Sequence, residues 1–544
     1  MYKNIRNFVS ISISTILFII LLSGCAPSVA VEEPKLEEES STPGSVEEVS
    51  TPEVIEEVKE ETTSNVGNPH IEDTLRIAFT SEPPSLGIYD HSSLISTLMN
   101  RLTFNGLTRI HPETLEPVLD LAESYSVEND TDWTFVLKKG VKFHNGEELS
   151  SADVVASILF AKSVPGAKLY TVNMESVEAI DTHTVLIKTS EPYAGLLYDL
   201  AYYYNFILPK SLLDTGNNFS ENPIGTGPYV MTEWNFGNYI KYDAFPDYFD
   251  KDHVAKIDHL IFSMIPEGSS RTIALEAGEI DFVWDVSGAD VANLKSNPLV
   301  QVVEIDSVDN VILFFNNDKE PWTDSNLRNA IAAAINRQDI IDGALNGYGK
   351  VNFSAIASGL AGSTDKDAIP YDLDLARSYL QKWGGDPASV TLTIFCSNET
   401  RVAIATVIQS NLSEIGVKVE VVPMDTASYM AAWKAGEFDA VIGSWSPSNA
   451  LSYTQRFHSD RRLTYAGAIN SPEIDEMVNQ MKATLDSEAR NKLIEGIVSK
   501  INQLSPQVSL YQSLWFRAHN ADLLGVYCDK TGFTRYEDMY WRGE

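Results

Sequence analysis

The residue with the clearest chemical signature in this sequence is Cys25, which ends the tetrapeptide LSGC. It follows a positively charged start and an apolar run of 15 residues, Phe8 to Leu22. That run is too short for a typical transmembrane helix and fits the core of a signal peptide. Small residues before a cysteine at the end of such a run are typical of a bacterial lipobox, in which the cysteine is acylated and becomes the mature N-terminus. We therefore expect residues 1–24 to be a lipoprotein signal peptide and the protein to be extracytoplasmic, lipid-anchored to the bacterial cell membrane. An ordinary signal peptide with an incidental cysteine is the alternative.

The remaining sequence offers no catalytic signature. It has no Gly-x-Ser-x-Gly elbow and no His-Glu-x-x-His helix, and its nine histidines are scattered. Gly343–Lys350 resembles a phosphate loop, but its glycine spacing differs and Val351 stands where Ser or Thr is required. Cys396 and Cys528 lie in no CxxC or Cys/His array, so we expect two buried thiols, with one disulfide as the alternative. We expect no catalytic residues, no metal and no cofactor.

Residues 26–70 have the composition of a disordered tether. They contain no aromatic residue, and their twelve Glu against two Lys give a net charge of −10. Such a segment cannot bury enough apolar surface to offset the entropy of ordering. We expect Cys25 and this acidic stretch, residues 25–70, to connect a lipid anchor to the folded part.

The folded part, residues 71–544, is large and acidic. Removal of the two positive charges of the leader changes the formal charge from −36 to −38, and the tether accounts for −10, which leaves −28 on these 474 residues. Phosphate binding needs clustered Lys and Arg, so a nucleic-acid partner is excluded. The length is too great for one core and predicts two or three domains.

Strand-like and helix-like segments alternate along this part. In the first half, the patterns predict strands at Thr74–Phe79, Trp133–Leu137, Val141–Phe143 and Thr182–Lys188, and a helix over Ser150–Ala161.

The second half gives a clearer pattern, which predicts an α/β unit with a largely parallel sheet. Helices are predicted from about Asn326 to Leu345, at Thr400–Ile415 and Thr426–Ala435, from Ser471 onward, and at Ser487–Gln503. Strands are predicted at Thr391–Phe395, Val417–Val422, Phe438–Trp445 and Gln507–Trp515.

Seven blocks of sequence, in a fixed order across nearly all of 71–544, resemble the family 5 extracytoplasmic solute-binding proteins of ABC importers, which include oligopeptide-, dipeptide- and nickel-binding members. The blocks are LTRIHPETLEPVLDLAESYSVENDTDWTFVLKKGVKF (Leu107–Phe143, continuing to Val154), PIGTGPY (Pro223–Tyr229), RTIALEAGEID (Arg271–Asp281), FFNNDKEPWTDSNLRNAIAAAINRQDII (Phe314–Ile341), YDLDLARSYLQKWG (Tyr371–Gly384), the stretch Val407–Trp445 and NSPEI (Asn470–Ile474).

The resemblance implies an α/β periplasmic-binding-protein-like fold with two lobes, an enlarged first lobe and a ligand cleft between them. Lobe I should contain 71–308 plus 506–544, and lobe II 309–505. It also implies a substrate-binding lipoprotein, a monomer and not an enzyme, that captures a small-molecule or peptide ligand by lobe closure and delivers it to the permease subunits of an ABC transporter. Clefts between domains are where ligands commonly bind.

Two family anchors for charged ligands are missing at the matching positions. In peptide-binding members an acidic residue soon after the strand-ending tryptophan pairs with the peptide amino terminus, but here the stretch Trp445-Ser446-Pro447-Ser448-Asn449-Ala450-Leu451 has no carboxylate. In nickel-chelate binders an arginine precedes a Phe-Ile-x-Pro segment, but here Asn205 precedes Phe206-Ile207-Leu208-Pro209.

The side chains that remain at these positions are aromatic and neutral, which suits a peptide held by its backbone or a sugar held by stacking. Tyr202–Tyr204 have core packing as their alternative role. The expected ligand-binding residues are Tyr89, Tyr204, Asn205, Trp445, Ser446, Asn449 and Trp515. We expect an oligopeptide, dipeptide or peptide-like ligand, with a nickel or other metal chelate or an oligosaccharide as alternatives. An anchored extracellular enzyme or a sensor on the same scaffold is the alternative from another class.

Overall fold

The computed structural model describes residues 73–90, 93–461 and 467–543. The described residues belong to one compact unit. The predicted signal peptide, the acylated Cys25 and the acidic tether lie outside the described residues, so those three expectations stay predictions.

Within the described residues, eleven strands form one mixed sheet that crosses the whole unit in the order β15-β14-β16-β12-β17-β11-β1-β10-β9-β8, with β13 paired to β17. Its strands are β1 (Thr74–Phe79), β8 (Tyr229–Asn235), β9 (Tyr239–Ala244), β10 (His259–Met264), β11 (Phe282–Val283), β12 (Val300–Phe315), β13 (Lys350–Val351), β14 (Thr391–Cys396), β15 (Lys418–Pro423), β16 (Ala440–Trp445) and β17 (Gln507–Asn520).

Smaller sheets lie outside this one. An antiparallel sheet has the order β4-β5-β7-β6, and two strand pairs are β2-β3 and β18-β19. Their strands are β2 (Thr108–Ile110), β3 (Pro117–Leu119), β4 (Ala122–Glu128), β5 (Asp132–Leu137), β6 (Met174–Asp181), β7 (Thr184–Thr189), β18 (Leu523–Leu524) and β19 (Tyr540–Trp541).

Helices cover both faces of the large sheet and one face of the β4–β7 sheet. They are α1 (Leu94–Thr103), α2 (Ser151–Ser163), α3 (Leu196–Leu200), α4 (Lys210–Thr215), α5 (Gly268–Glu276), α6 (Gly288–Ser296), α7 (Ser325–Ala334), α8 (Arg337–Ala344), α9 (Leu373–Trp383), α10 (Glu399–Ser413), α11 (Thr426–Ala435), α12 (Ala450–Thr454), α13 (Pro472–Ala483) and α14 (Ser487–Leu504). Short 3-10 turns include 165–170, 203–205 and 455–457.

Two long antiparallel strands, β12 and β17, connect the two parts of the molecule. We call residues 73–299 the first segment and residues 316–506 the middle segment. One end of the β12–β17 pair bonds to β11 of the first segment, and the other end bonds to β16 of the middle segment. The pairing is interrupted between Asp306 and Asn310. The predicted lobe boundaries fall in β12 and just before β17, and they stay a prediction because both strands belong to the one sheet that is shared by the two segments.

The predicted parallel unit of the middle segment is confirmed. β14 pairs in parallel with both β15 and β16, and α11 has the predicted bounds. Gly436 ends α11 in the left-handed conformation (φ 68°), which suits glycine because it lacks a Cβ.

Two local predictions are wrong. The single helix over 326–345 is two helices, because Asn336 accepts a hydrogen bond from Gln338 N and so caps a new helix. Val141–Phe143 is a tight loop rather than a strand. It follows Gly140 (φ 72°) and closes through the bond from Phe143 N to Glu147 O, while Val141 and Phe143 keep their side chains buried.

The first and middle segments also touch directly, away from the long strands. The Ala194 amide donates to the carbonyl oxygen of Lys482 at the end of α13 (2.8 Å). Arg490 of α14 lies 3.5 Å from Glu116, whose carboxylate also accepts a bond from the Tyr198 hydroxyl (2.5 Å). We call these two contacts the segment clasp.

Candidate functional site

Six aromatic side chains of the first segment form one continuous cluster, which we call the aromatic wall. They are Tyr89, Phe160, Tyr170, Tyr202, Tyr203 and Tyr204. Tyr170 and Tyr202 stack with ring centroids 3.8 Å apart, and Tyr89 lies 5.0 Å from Phe160 and 6.3 Å from Tyr204. The cluster therefore joins the loop after β1, the end of α2 and the 3-10 turns at 165–170 and 203–205.

Asn205 holds the wall in place from behind. Its side chain is fully buried, and its amide donates to the carbonyl oxygens of Tyr170 (3.1 Å) and Asp199 (2.9 Å). These bonds fix the turn that carries Tyr202–Tyr204 to the segment that carries Tyr170. The structure thus places Asn205 beneath the wall, with its amide nitrogen used inside the protein.

The wall presents neutral hydroxyls at physiological pH. Burial raises the pKa of Tyr89, Tyr170, Tyr202 and Tyr203 above the usual value of a phenol. Burial likewise raises the pKa of Asp199 well above its usual range, although the carboxylate accepts a 3.0 Å bond from the Tyr193 hydroxyl. Phe160 is exposed and Tyr89, Tyr170 and Tyr202 are half-buried, so these four can offer aromatic surface, whereas Tyr203 and Tyr204 are buried in the core beside them.

Trp445 ends β16 in the middle segment and is half-buried. The guanidinium carbon of Arg456, from the 3-10 turn after α12, lies 3.4 Å from the centroid of its ring. Ser446, the next residue, is exposed. Asn449 is buried and caps α12, because its Oδ1 accepts from the amide of Ser452 (2.7 Å). The structure therefore brings Trp445 and Ser446 to one exposed strand end and gives Asn449 a structural role beside them.

The aromatic wall and this strand end belong to neighbouring surfaces. Ala201, directly before the tyrosine run, packs in the same apolar cluster as Ala450, Leu451 and Phe457, and Trp445 packs against that cluster. The positive charge of Arg456 also acts on the hydroxyls of Tyr170 and Tyr202, whose pKa it lowers against the larger effect of burial. We call the aromatic wall, Trp445 and Arg456 together the candidate site.

Trp515 lies elsewhere. It pairs with Ile305 in the β12–β17 ladder, and a Cβ added at Gly532 would come within 3.0 Å of its ring. The guanidinium carbon of Arg517 is 6.0 Å from the Trp515 ring centroid. Among the described residues these contacts group Trp515 with the C-terminal loop around Gly532 rather than with the aromatic wall.

A cavity of about 100 Å³ adjoins the ends of the tyrosine run. Ala201 and Phe206, which flank that run, line it together with the charged groups of Arg101, Asp120 and Asp529. Burial raises the pKa of both carboxyls and lowers that of Arg101 to about 10. Ligand pockets for drug-sized molecules are typically about 300–1,000 Å³, so this cavity has room for a few water molecules and not for a peptide.

The described residues contain no group of three or more His, Cys, Asp or Glu side chains that could hold a metal ion. Cys396 and Cys528 are free thiols; Cys396 is buried as predicted, Cys528 is half-buried, and burial raises the pKa of both. No helix within residues 73–90, 93–461 and 467–543 combines the length and the apolarity that a membrane crossing requires.

Comparison with known proteins decides the family. The model of the bacterial extracellular solute-binding proteins, family 5 (middle), matches residues 116–461. The chain belongs to this family. It is 28% identical over 480 residues to the oligopeptide-binding protein AppA of Bacillus subtilis (82% of this chain, 87% of AppA), and 26% identical over 483 residues to the glutathione-binding protein GsiB of Escherichia coli strain K12 (85% and 93%).

The fold agrees with the assignment to family 5. The structure of B. subtilis AppA in complex with a nonapeptide superposes with a TM-score of 0.69 and 26% identity, covering 86% of this chain and 98% of that chain. The predicted α/β periplasmic-binding-protein fold is therefore confirmed. This is an extracytoplasmic solute-binding protein, and its family is one of binding proteins rather than enzymes.

Three members of the candidate site were not predicted from the sequence: Phe160, Tyr170 and Arg456. Tyr170 is separated from its stacking partner Tyr202 by the whole of β6, β7 and α3. Arg456 is 11 residues beyond Trp445, across a loop and a helix. A signal was present for Arg456, since it is the first basic residue after the strand-ending tryptophan.

Proposed function

We propose that this protein is the lipid-anchored receptor of an ABC importer, and that it captures a peptide or peptide-like solute between two lobes. The supporting observation is the candidate site, in which an aromatic wall from the first segment lies within the electrostatic reach of Arg456, which stacks on Trp445 of the middle segment. The two segments are connected through the β12–β17 pair, whose ladder is interrupted at its centre. Such a connection lets two bodies close on a ligand, with lobe I at 71–308 plus 506–544 and lobe II at 309–505.

The chemistry of the site suits a peptide. Aromatic faces pack against apolar side chains, and neutral tyrosine hydroxyls and the exposed Ser446 can bond a peptide backbone. Two relatives support a ligand of this class, since AppA is an oligopeptide-binding protein and GsiB is a glutathione-binding protein. Tyr89, Tyr204, Trp445 and Ser446 would contact the ligand, and Asn205 and Asn449 would hold those residues in position.

The receptor would act as a monomer and deliver its ligand to the permease subunits of the importer. Acylation of Cys25 would hold the receptor at the outer face of the membrane, and the acidic residues 26–70 would let its folded part extend away from the membrane surface.

Mass spectrometry of the full chain, purified without refolding, tests the ligand class. Native spectra should show added mass, and denaturing spectra should release a family of short peptides. A stoichiometric metal with its chelator, or a single sugar mass, would replace the peptide as ligand. An empty protein that also binds no member of a random peptide mixture would refute the peptide assignment.

A further inference from the structure

Four large apolar side chains are exposed close together at the end of α2 and around the 3-10 turn that follows it. Among the described residues eleven large apolar side chains are exposed, and four of them fall within residues 159–172. They are Leu159, Phe160, Leu169 and Val172, which are between 40% and 56% exposed. A single exposed apolar residue is ordinary, whereas a group of them marks a surface that contacts a partner.

The fold holds the helix end and the turn against each other. Ala161 of α2 and Ala167 of the turn are fully buried in one apolar cluster. The ammonium group of Lys162, near the end of α2, donates to the carbonyl oxygens of Met174 (2.6 Å) and Glu175 (3.1 Å). The helix end, the turn and the start of β6 therefore form one local surface, on which the four apolar side chains are exposed.

This surface is basic in a protein that is strongly acidic. Residues 154–174 contain no Asp and no Glu but include Lys162 and Lys168, whereas the folded part as a whole carries a charge of −28. Elsewhere an exposed apolar residue can have an acidic neighbour, as Ile180 has in Asp181. We call the four apolar residues and the two lysines together the apolar-basic patch.

Asp153 and Glu175 bound the acid-free stretch. Asp153 is buried, and its carboxylate accepts bonds from the backbone amides of Ser150 and Lys210 (both 2.8 Å). Glu175 adds an exposed negative charge at the edge, where the Lys162 ammonium lies beside its backbone. The apolar-basic patch therefore presents apolar side chains together with positive charge.

A bilayer that contains anionic lipids matches both properties. Its headgroups attract lysines, and its interfacial region accepts apolar side chains. The same surface repels the rest of the acidic folded part, so the patch is the side that can approach. A protein partner would need a fitted shape as well, whereas a lipid surface offers both properties everywhere. The proposed anchor at Cys25 keeps the folded part near such a surface.

We propose that the apolar-basic patch rests against the anionic phospholipid headgroups of the membrane to which the chain is anchored. Phe160 belongs both to the patch and to the aromatic wall, so this contact would place the wall beside the membrane that holds the permease subunits. The contact is weak and acts on a chain that the anchor already holds nearby. This inference rests on the proposed function and adds how the anchored receptor is oriented.

The test places one tryptophan in the patch of the full acylated chain. Leu169→Trp adds it there, and Ile180→Trp is the matched control at another exposed apolar position. Both proteins are bound to vesicles with brominated acyl chains, made of phosphatidylcholine alone or of equal parts of phosphatidylcholine and phosphatidylglycerol. Relative to the wild type, the fluorescence added by Leu169→Trp should be quenched in the anionic vesicles and far less in the neutral ones. The fluorescence added by Ile180→Trp should be quenched in neither.

The charge of Lys168 gives a quantitative check. Lys168→Gln, combined with Leu169→Trp, should lower the ratio of contacting to separated arrangements about fivefold, the factor expected for one lysine near an anionic surface. Salt at about 1 M, where the Debye length is about 3 Å, should weaken the quenching too. Thermal unfolding of each variant shows that it is folded.

Three results would each overturn the inference: no quenching at position 169, equal quenching at 169 and 180, or equal quenching in neutral and anionic vesicles. If quenching is absent while Leu169→Ser lowers uptake of the solute by cells, the patch contacts the permease and not the lipid.

These outcomes are independent of the ligand, which the mass spectra of the wild type decide. If the chain proves not to be acylated, a titration of the unanchored chain with the same vesicles decides the inference. Quenching at 169 alone should then appear at high lipid concentration, and its absence would overturn the proposal.

Discussion

Glu116→Gln tests whether the segment clasp controls how far the two segments separate. The Glu116 carboxylate lies 3.5 Å from Arg490 Nη2 and accepts a 2.5 Å bond from the Tyr198 hydroxyl. Glutamine has nearly the same shape and can still accept from the tyrosine. The change therefore removes only the negative charge that faces Arg490.

The size of the effect follows from burial. The Arg490 side chain is 6% exposed, so a neutral amide in place of the carboxylate leaves a nearly buried guanidinium without the charge it faces across the clasp. Glu116 itself is 32% exposed, which places the cost at about 1–3 kcal/mol, below that of a fully buried pair. Since about 1.4 kcal/mol is a factor of ten, separated arrangements should become roughly 5- to 150-fold more populated.

Hydrogen exchange reports this separation at one amide. The Ala194 N–H donates across the clasp to Lys482, so its exchange in the full chain should become faster by that factor. The Asp199 N–H donates to Gly195 within the first segment (2.9 Å) and should keep its rate. Glu113→Gln, three residues before Glu116 and exposed, should change neither amide.

Unchanged protection of Ala194 in Glu116→Gln would refute the reasoning, because the charge pair would then contribute nothing to the arrangement. An equal acceleration at Ala194 and Asp199 would refute it too, since the first segment itself would be unfolding.

Further outcomes concern the anchor, the site and stability. Cys25→Ser should release the protein from membranes, as measured by fractionation, without changing ligand affinity. Trp445→Ala should weaken binding of retained peptides about 30-fold or more by calorimetry, because it removes a central aromatic contact and the support of Arg456. Asp281→Asn should lower the free energy of unfolding in urea by about 3–5 kcal/mol, because Asp281 is fully buried and binds Arg76 through both of its oxygens. Burial lowers the pKa of His144 from 6.5 to about 4, so on acidification the unfolded chain binds a proton at this histidine before the folded protein does. The free energy of unfolding should therefore fall by up to about 3 kcal/mol between pH 6.5 and pH 4 because of this residue. Urea titrations at the two pH values should show that His144→Gln removes this part of the pH dependence.

Local pattern was enough to predict the middle segment where each element carries its own boundary signals. α11 begins at a capping aspartate and ends at Gly436, the side chains of β14 alternate between buried and more exposed positions, and β16 begins as a short buried run. The predicted helix over 326–345 failed because the decisive interaction is distant. At the break, the Asn336 amide donates to Asn411 Oδ1 of α10 (3.0 Å), and the Asn336 side chain caps the new helix.

The candidate site was predictable only in its parts. The tyrosine run and Trp445 could be named because they match family positions, whereas their partners are brought in by tertiary packing. Tyr170 reaches Tyr202 because Asn205 ties the two backbones together, and no periodicity in the sequence records that tie. Asn449 shows the converse, since an asparagine before a short helix is also a capping signal, and capping is what it does here.

The interruption between Asp306 and Asn310 limits how the receptor can move. Within this stretch the Ser307 hydroxyl donates to the carbonyl oxygen of Ser513 (2.7 Å), and the Val308 amide donates to the carbonyl oxygen of Lys530 (2.9 Å). The stretch is therefore still bonded to β17 and to the C-terminal loop. Two strands that are hydrogen-bonded to each other on both sides of such an interruption can bend at it. They cannot slide along each other, because sliding would break every hydrogen bond between them at once. If the two lobes open and close as proposed, we expect the motion to be a rotation about this region, beside which the C-terminal loop is attached through Lys530. Substitutions at 307–309 should change how fast the receptor opens while leaving the surfaces that grip the solute intact.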